Sequence, residues 1–146
     1  MEVNIRNEWA DASADFLALI GQQIRLQLLA VMAVQEACVC HFEAVLGLRQ
    51  AVISQHLMLL RRGGLVVPRR DGRNVFYRLQ KPQLVDLLYH AVTSSGGTSH
   101  DLEQLSRRPV EGCPCPQCNP NLPEFSCQGM HPLNPTSKKN IGGKNG

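Results

Sequence analysis

The run from Arg49 to Arg62 constrains this chain more than any other stretch. Ile53, Leu57 and Leu60 fall at i, i+4 and i+7, a single narrow apolar stripe on an otherwise polar helix. Gly63-Gly64 breaks that helix, and two strand-like runs follow, Leu65–Val67 and Asn74–Leu79. Between them Asp71-Gly72 carries the signal of a tight hairpin.

The surrounding pattern is helical. Trp9, Ala12, Phe16, Leu17 and Ile20 recur every three or four residues. Ile24, Leu28, Val31 and Met32 repeat the period beyond Gly21. A short helix is expected around Cys40–Leu46, stopped by Gly47. Pro82 stands where a strongly apolar helix begins, with Leu84, Val85, Leu87, Leu88 and Val92. That helix carries more apolar surface than one face needs, which points to packing against a second subunit. Ser94-Ser95-Gly96-Gly97 ends it, and Asp101–Leu105 adds a further turn or two. From Arg107 the composition turns to Pro, Gly, Asn and Lys, so residues 107–146 read as a flexible, Cys-containing tail behind a 1–106 domain.

Charge is concentrated where the hairpin lies. Between Gly47 and Lys81 stand eight basic residues against Asp71 alone, although the whole chain is only +3. A local basic zone is the footprint of a polyanionic partner. A helix, a glycine break and a basic hairpin make a winged helix-turn-helix, a mainly α fold with a small β-hairpin. In such a fold the stripe is buried, and short polar side chains face base edges in the major groove. Arg49, Gln50, Ser54 and Gln55 take the reading role. Arg69, Arg70, Arg73 and Asn74, at and beside the hairpin tip, take phosphates or the minor groove. The expected partner is double-stranded DNA.

Other classes are poorly supported. No phosphate loop, nucleophile elbow or carboxylate pair suggests an enzyme or a small organic substrate. No apolar run reaches the roughly 20 residues of a membrane span. The N-terminal residues lack the pattern of a signal peptide, so a cytoplasmic product is expected.

Six cysteines in such a chain are expected as thiols rather than structural disulfides. Cys38 and Cys40 form one pair, Cys113, Cys115 and Cys118 a second group, and Cys127 lies further on. Such clusters suit metal coordination or redox sensing.

Three segments together resemble one family. They are Glu36–Phe42 with its Cys-Val-Cys, Val52–Val66, and Arg70–Leu79; in their order and spacing they resemble the ArsR/SmtB repressors over about Ile20 to Val92. The resemblance implies a winged-helix homodimer, dimerising through its terminal helices. It would sit on a palindromic operator and be released when a metal or metalloid binds. Cys38-Val39-Cys40 resembles the family's soft-metal motif at the start of the helix before the recognition helix. Thiolates at i and i+2 do not share a helix face, but they can share an ion at a frayed helix start. Thiolate ligands select soft ions, so As(III), Cd(II), Pb(II) or bismuth are expected inducers, with Zn(II) possible.

One departure matters. Where arsenic sensors of this type often carry a third Cys, this chain has Glu43. The missing ligands must come from elsewhere, and Cys113, Cys115 and Cys118 are the expected source, from the same or the partner subunit. Alternatives are a separate zinc knot of Cys113, Cys115, Cys118 and Cys127, a thiol-based redox or sulfur-sensing repressor, and a metal-handling protein without operator binding. Asp86, His90, His100 and Glu103 only loosely resemble the dimer-helix zinc site of some members. His56 is expected to be structural; His41 and His131 could lend a nitrogen to an ion, but a surface role is expected of both.

Overall fold

The computed structural model describes residues 8–120. Its elements, in chain order, are α1 (Glu8–Ile20), α2 (Gln23–Val31), β1 (Ala37–Cys38), α3 (Val39–Leu46), α4 (Gln50–Arg62), β2 (Val66–Asp71), β3 (Asn74–Leu79), α5 (Gln83–Ser94) and α6 (Ser99–Ser106). The winged helix-turn-helix read from the sequence is the fold observed.

The stripe on α4 decides the architecture. Ile53, Leu57 and Leu60 are all at most 1% exposed, and they pack with Leu28, Leu29 and Val31 of α2, Phe42 of α3, and Leu65. Burying a side chain of this size is worth about 1.5–3 kcal/mol. Three of them on one stripe fix which face of α4 is left to solvent. That outer face carries Gln50, Ala51, Ser54, Gln55, Met58, Arg61 and Arg62.

Gly47 makes the turn into α4 possible. It closes α3 at φ +65, and its N–H returns to the Glu43 carbonyl at 2.8 Å. A side chain there would be forced into the left-handed region. At the wing, Asp71 pairs with Asn74 across a two-residue loop in which Gly72 holds φ +59.

The sheet holds one strand more than the sequence reading gave. Its order is β1-β3-β2, with Ala37 opposite Tyr77 and Cys38 opposite Phe76. Two residues are too few to show a period of two, so β1 was invisible to pattern. It matters because it ties the Cys-Val-Cys segment to the wing. α6 is also a full helix, started by a capping box between Thr98 and Asp101. The helical period placed Trp9 and Leu17 on one face with Ile20; Ile20 is buried, but Trp9 is 73% and Leu17 52% exposed. α1 meets α2 and α4, and Trp9 and Leu17 lie largely exposed on its other side.

Candidate functional site: a thiol cluster beneath the wing

The Cys-Val-Cys motif straddles a strand end and a helix start. Cys38 is both the last residue of β1 and the N-cap of α3, with extended φ −89 and ψ 166; Cys40 lies in the first helical turn. That change of backbone direction brings two cysteine sulfurs together that a continuous helix would separate, with Sγ atoms 3.1 Å apart. Cys40 is disulfide-bonded, so the expectation of thiols throughout does not hold at Cys40. Cys113, Cys115 and Cys118 are thiols.

The segment after α6 folds back onto this motif. Cys113 and Cys115 are buried, Cys118 is half-buried, and with Cys38, Cys40 and Phe76 they form a small core of their own. Short turns hold the segment. The Cys113 N–H donates to Val110 O at 3.2 Å, and the N–H groups of Cys118 and Asn119 both donate to Cys115 O, at 3.2 and 3.0 Å. Asn119 Nδ2 donates to the carbonyls of Cys113 and Cys115 at 2.6 and 3.1 Å. The Val110 N–H donates to Cys118 Sγ at 3.3 Å. Residues 107–120 are thus held in place by their own polar groups, where composition alone suggests a loose tail.

His41 lies at the centre, not at the surface where the sequence reading put it. It is 0% exposed. Its Nδ1 is 3.5 Å from Cys113 Sγ, 3.9 Å from Cys115 Sγ and 3.3 Å from Cys118 Sγ. Its Nε2 accepts from Arg108 Nη1 at 2.7 Å. Arg108 also donates through Nη2 to the carbonyls of Gln35 at 3.0 Å and Glu36 at 3.1 Å, clamping the tail to the segment that enters β1. Among the described residues, His41, Cys113, Cys115 and Cys118 bring their ligand atoms within 4.8 Å of one another.

Hydrogen bonds from the Cys113 and Cys38 thiols, and one from His41, hold the Cys115 thiol below its ordinary range against the opposing effect of burial. The Cys38 and Cys113 thiols are pushed up, each first by its hydrogen bond to Cys115 and then by burial. Burial also raises Cys118. A buried nest of thiols, with an imidazole beside it, is a soft donor set suited to metal or metalloid coordination. Glu43, in the place of a third motif cysteine, lies on α3 and adds no sulfur.

The residues expected to face DNA fall into two groups. Arg49, Gln50, Ser54 and Gln55 are exposed at the start and outer face of α4, and Arg70 and Arg73 are exposed on the wing. Asn74 is half-buried in the ladder opposite Asp71. Arg69 is exposed but paired within the protomer. Its Nε donates to Glu36 Oε2 at 2.9 Å and its Nη2 pairs with Glu36 Oε1, while the guanidinium stacks 5.0 Å above the Phe76 ring. The Arg69 hydrogen bond holds the Glu36 carboxyl below its usual range. On α4, His56 is structural, with Nδ1 3.4 Å from Arg25 Nη1. His90 is exposed on α5, and on α6 Asp101 serves the capping box and His100 bonds Gln104. Cys127 and His131 lie outside the described residues.

Residues 22–67 match the family described as bacterial regulatory protein, arsR family. A "Transcriptional repressor SmtB homolog" from Synechocystis sp. is 36% identical over 78 residues, 53% of this chain and 59% of that protein. The reduced form of HlyU from Vibrio cholerae superimposes with a TM-score of 0.54 at 30% identity, over 57% of this chain and 90% of that one. The chain belongs to the arsR family. An "Arsenic resistance transcriptional regulator ArsR1" from Pseudomonas putida is 42% identical over 62 residues, 41% of this chain and 48% of that protein. The chain therefore spans about half to three fifths of the length of these two curated arsR-family relatives. Its family is one of transcriptional regulators rather than enzymes. No helix among the described residues is long and apolar enough to cross a membrane.

His41 was open to the sequence reading as a nitrogen donor, but a surface role was preferred; its place directly after Cys40 and three residues from Cys38, with three tail thiols where four donors are usual, was the signal for the other choice. Arg108 escaped that reading, because a single Arg before a Pro has no distinguishing pattern.

Proposed function

We propose that this protein is an operator-binding transcriptional repressor that acts as a homodimer and is released from DNA when a soft ion is taken up by its thiol cluster. The observation that carries the reading is the packing of Cys113, Cys115 and Cys118 against the Cys38/His41 end of α3. A soft ion supplies sulfur-directed bonds that tie the tail to this end. Cys113, Cys115 and Cys118 are the thiols that would hold it, with Cys38 and Cys40 packed against them as the adjoining sulfurs of the motif. As(III), Cd(II) and Pb(II) suit the donors, and Zn(II) also does.

The chain's own connections explain how uptake is felt at DNA. β1 is hydrogen-bonded to β3 of the wing, and α3 leads through Gly47 into α4. Arg49, Gln50, Ser54 and Gln55 would read base edges, while Arg70 and Arg73 would hold phosphates. Only an ion that prefers the arrangement unsuited to DNA weakens operator binding, and the coupling is reciprocal. Exposed Trp9 and Leu17 on α1 and Tyr89 on α5 are apolar surface that a second copy would cover. The test is a gel shift at low salt with DNA from upstream of the chain's own gene. A shift that metal reverses supports the reading; no shift in the metal-free reduced protein overturns it.

A second reading has its own observation, the disulfide at Cys40. In that reading the signal is oxidation, two thiols giving up two electrons and two protons to a peroxide, which leaves as water. Metal-independent DNA release by peroxide, reversed by a dithiol, would favour it.

A further inference from the structure

We infer that the ion-binding centre is a four-coordinate site of three sulfurs and one nitrogen, with His41 Nδ1 joining Cys113, Cys115 and Cys118, and that it takes a tetrahedral divalent ion of the zinc or cadmium class. The inference rests on the regulator reading for its biological sense. It narrows that reading by naming the fourth donor and the class of ion.

The geometry is specific. With about 2.3 Å from zinc to sulfur and about 2.0 Å to nitrogen, the nitrogen-to-sulfur edges of a tetrahedron come to about 3.5 Å. The three distances from His41 Nδ1 are 3.3, 3.5 and 3.9 Å. The nitrogen thus already stands near tetrahedral distance from all three sulfurs, and the four atoms lie within 4.8 Å of one another. The backbone supports them as a ligand shell is usually supported. The Val110 N–H points at Cys118 Sγ, and Asn119 ties the carbonyls of Cys113 and Cys115. Cys38 stands outside the set as a hydrogen-bond partner of Cys115. A three-coordinate metalloid would need three sulfurs and leave the imidazole without a role.

Arg108 adds a consequence. A guanidinium has only donors, so its bond to Nε2 makes that nitrogen the acceptor and leaves the ring proton on Nδ1, among the three sulfurs. The proton occupies the place of the ion. When Nδ1 becomes a ligand, the neutral ring carries its proton on Nε2 instead, where it meets Arg108 donor against donor. The Arg108–His41 bond is then lost. Arg108 is left on the carbonyls of Gln35 and Glu36, and Glu36 is the residue that pairs with Arg69 of β2. Filling the site therefore perturbs a contact two residues from the wing's tether.

The test is X-ray absorption at the zinc and cadmium edges of the reduced full-length chain loaded with one equivalent of either ion. Three sulfurs and one nitrogen with imidazole scattering are expected in the wild type and in Cys38→Ser. Loss of the nitrogen and at least tenfold weaker binding are expected in His41→Ala. A four-sulfur shell, or a shell without nitrogen, overturns the inference, as does a Cys38→Ser variant that loses a sulfur ligand. The wild-type spectrum decides even if His41→Ala fails to fold. Operator release measured on the same samples separates the two claims. A three-sulfur, one-nitrogen shell without release keeps the site and sinks the repressor reading; release with a four-sulfur shell does the reverse.

Discussion

Replacing Arg73 by alanine tests whether the wing touches DNA, and its magnitude follows from the placement of the side chain. Arg73 is exposed in the second position of the Gly72-Arg73 loop, at the extreme of the hairpin. A phosphate contact releases counterions, and each contributes about 0.9 to the slope of log affinity against log salt. A dimer carries two wings, so Arg73→Ala lowers the slope by about 1.8. At 0.1 M salt that amounts to about 60-fold weaker binding, and a salt increase from 50 to 200 mM penalises the wild type about 12-fold more than the variant. The assay is fluorescence anisotropy of an operator duplex over a salt series. Arg69→Ala provides the internal contrast. Its guanidinium is paired with Glu36 and stacked on Phe76, so its slope change is less than half that of Arg73→Ala. An unchanged slope in Arg73→Ala refutes the wing contact, and equal slopes for the two variants refute the idea that pairing with Glu36 withholds Arg69 from DNA.

Three further outcomes are expected. Phe42→Ala removes a fully buried ring joining α3 to the α4 stripe, and costs about 3–5 kcal/mol in denaturant unfolding. Gly47→Val places a β-branched residue at φ +65 and costs on the order of 1–3 kcal/mol, seen as a lower Tm; no loss would show that α3 ends differently. His56 has its pKa lowered by burial and then by the Arg25 charge, so its neutral form is favoured in the folded state. Its contribution is present above the ordinary histidine range and fades as pH falls through the depressed folded value. The wild type should therefore lose more Tm between pH 7.5 and pH 5.5 than His56→Gln does, and equal losses would show that His56 is not linked to folding.

The parts legible in the sequence were those with a period or a fixed spacing. The Ile53, Leu57, Leu60 stripe gave α4 and its outer face, and Asp71-Gly72 gave the wing. Cys38 and Cys40, read as a pair workable only at a helix start, are found at one. What could not be read depends on chain segments meeting far apart in sequence. β1 is too short for alternation and exists because β3 offers it an edge. His41 is buried because residues 107–120 cover it, and those residues order through Arg108 and Asn119 rather than through apolar periodicity. Arg69 has the composition of a DNA contact, and only the approach of Glu36 from the β1 side pairs it within the protomer.

The claim that tail thiols and the α3 start act as one sensor is tested most directly by cadmium titration of the reduced protein on its operator. Anisotropy and sulfur-to-metal absorption are followed together. One cadmium per chain should weaken operator binding by at least tenfold, a coupling of about 1.4 kcal/mol, and Cys113, Cys115 and Cys118 replaced together by Ser should abolish that release. Release that persists in the triple variant with unchanged cadmium affinity would contradict the account.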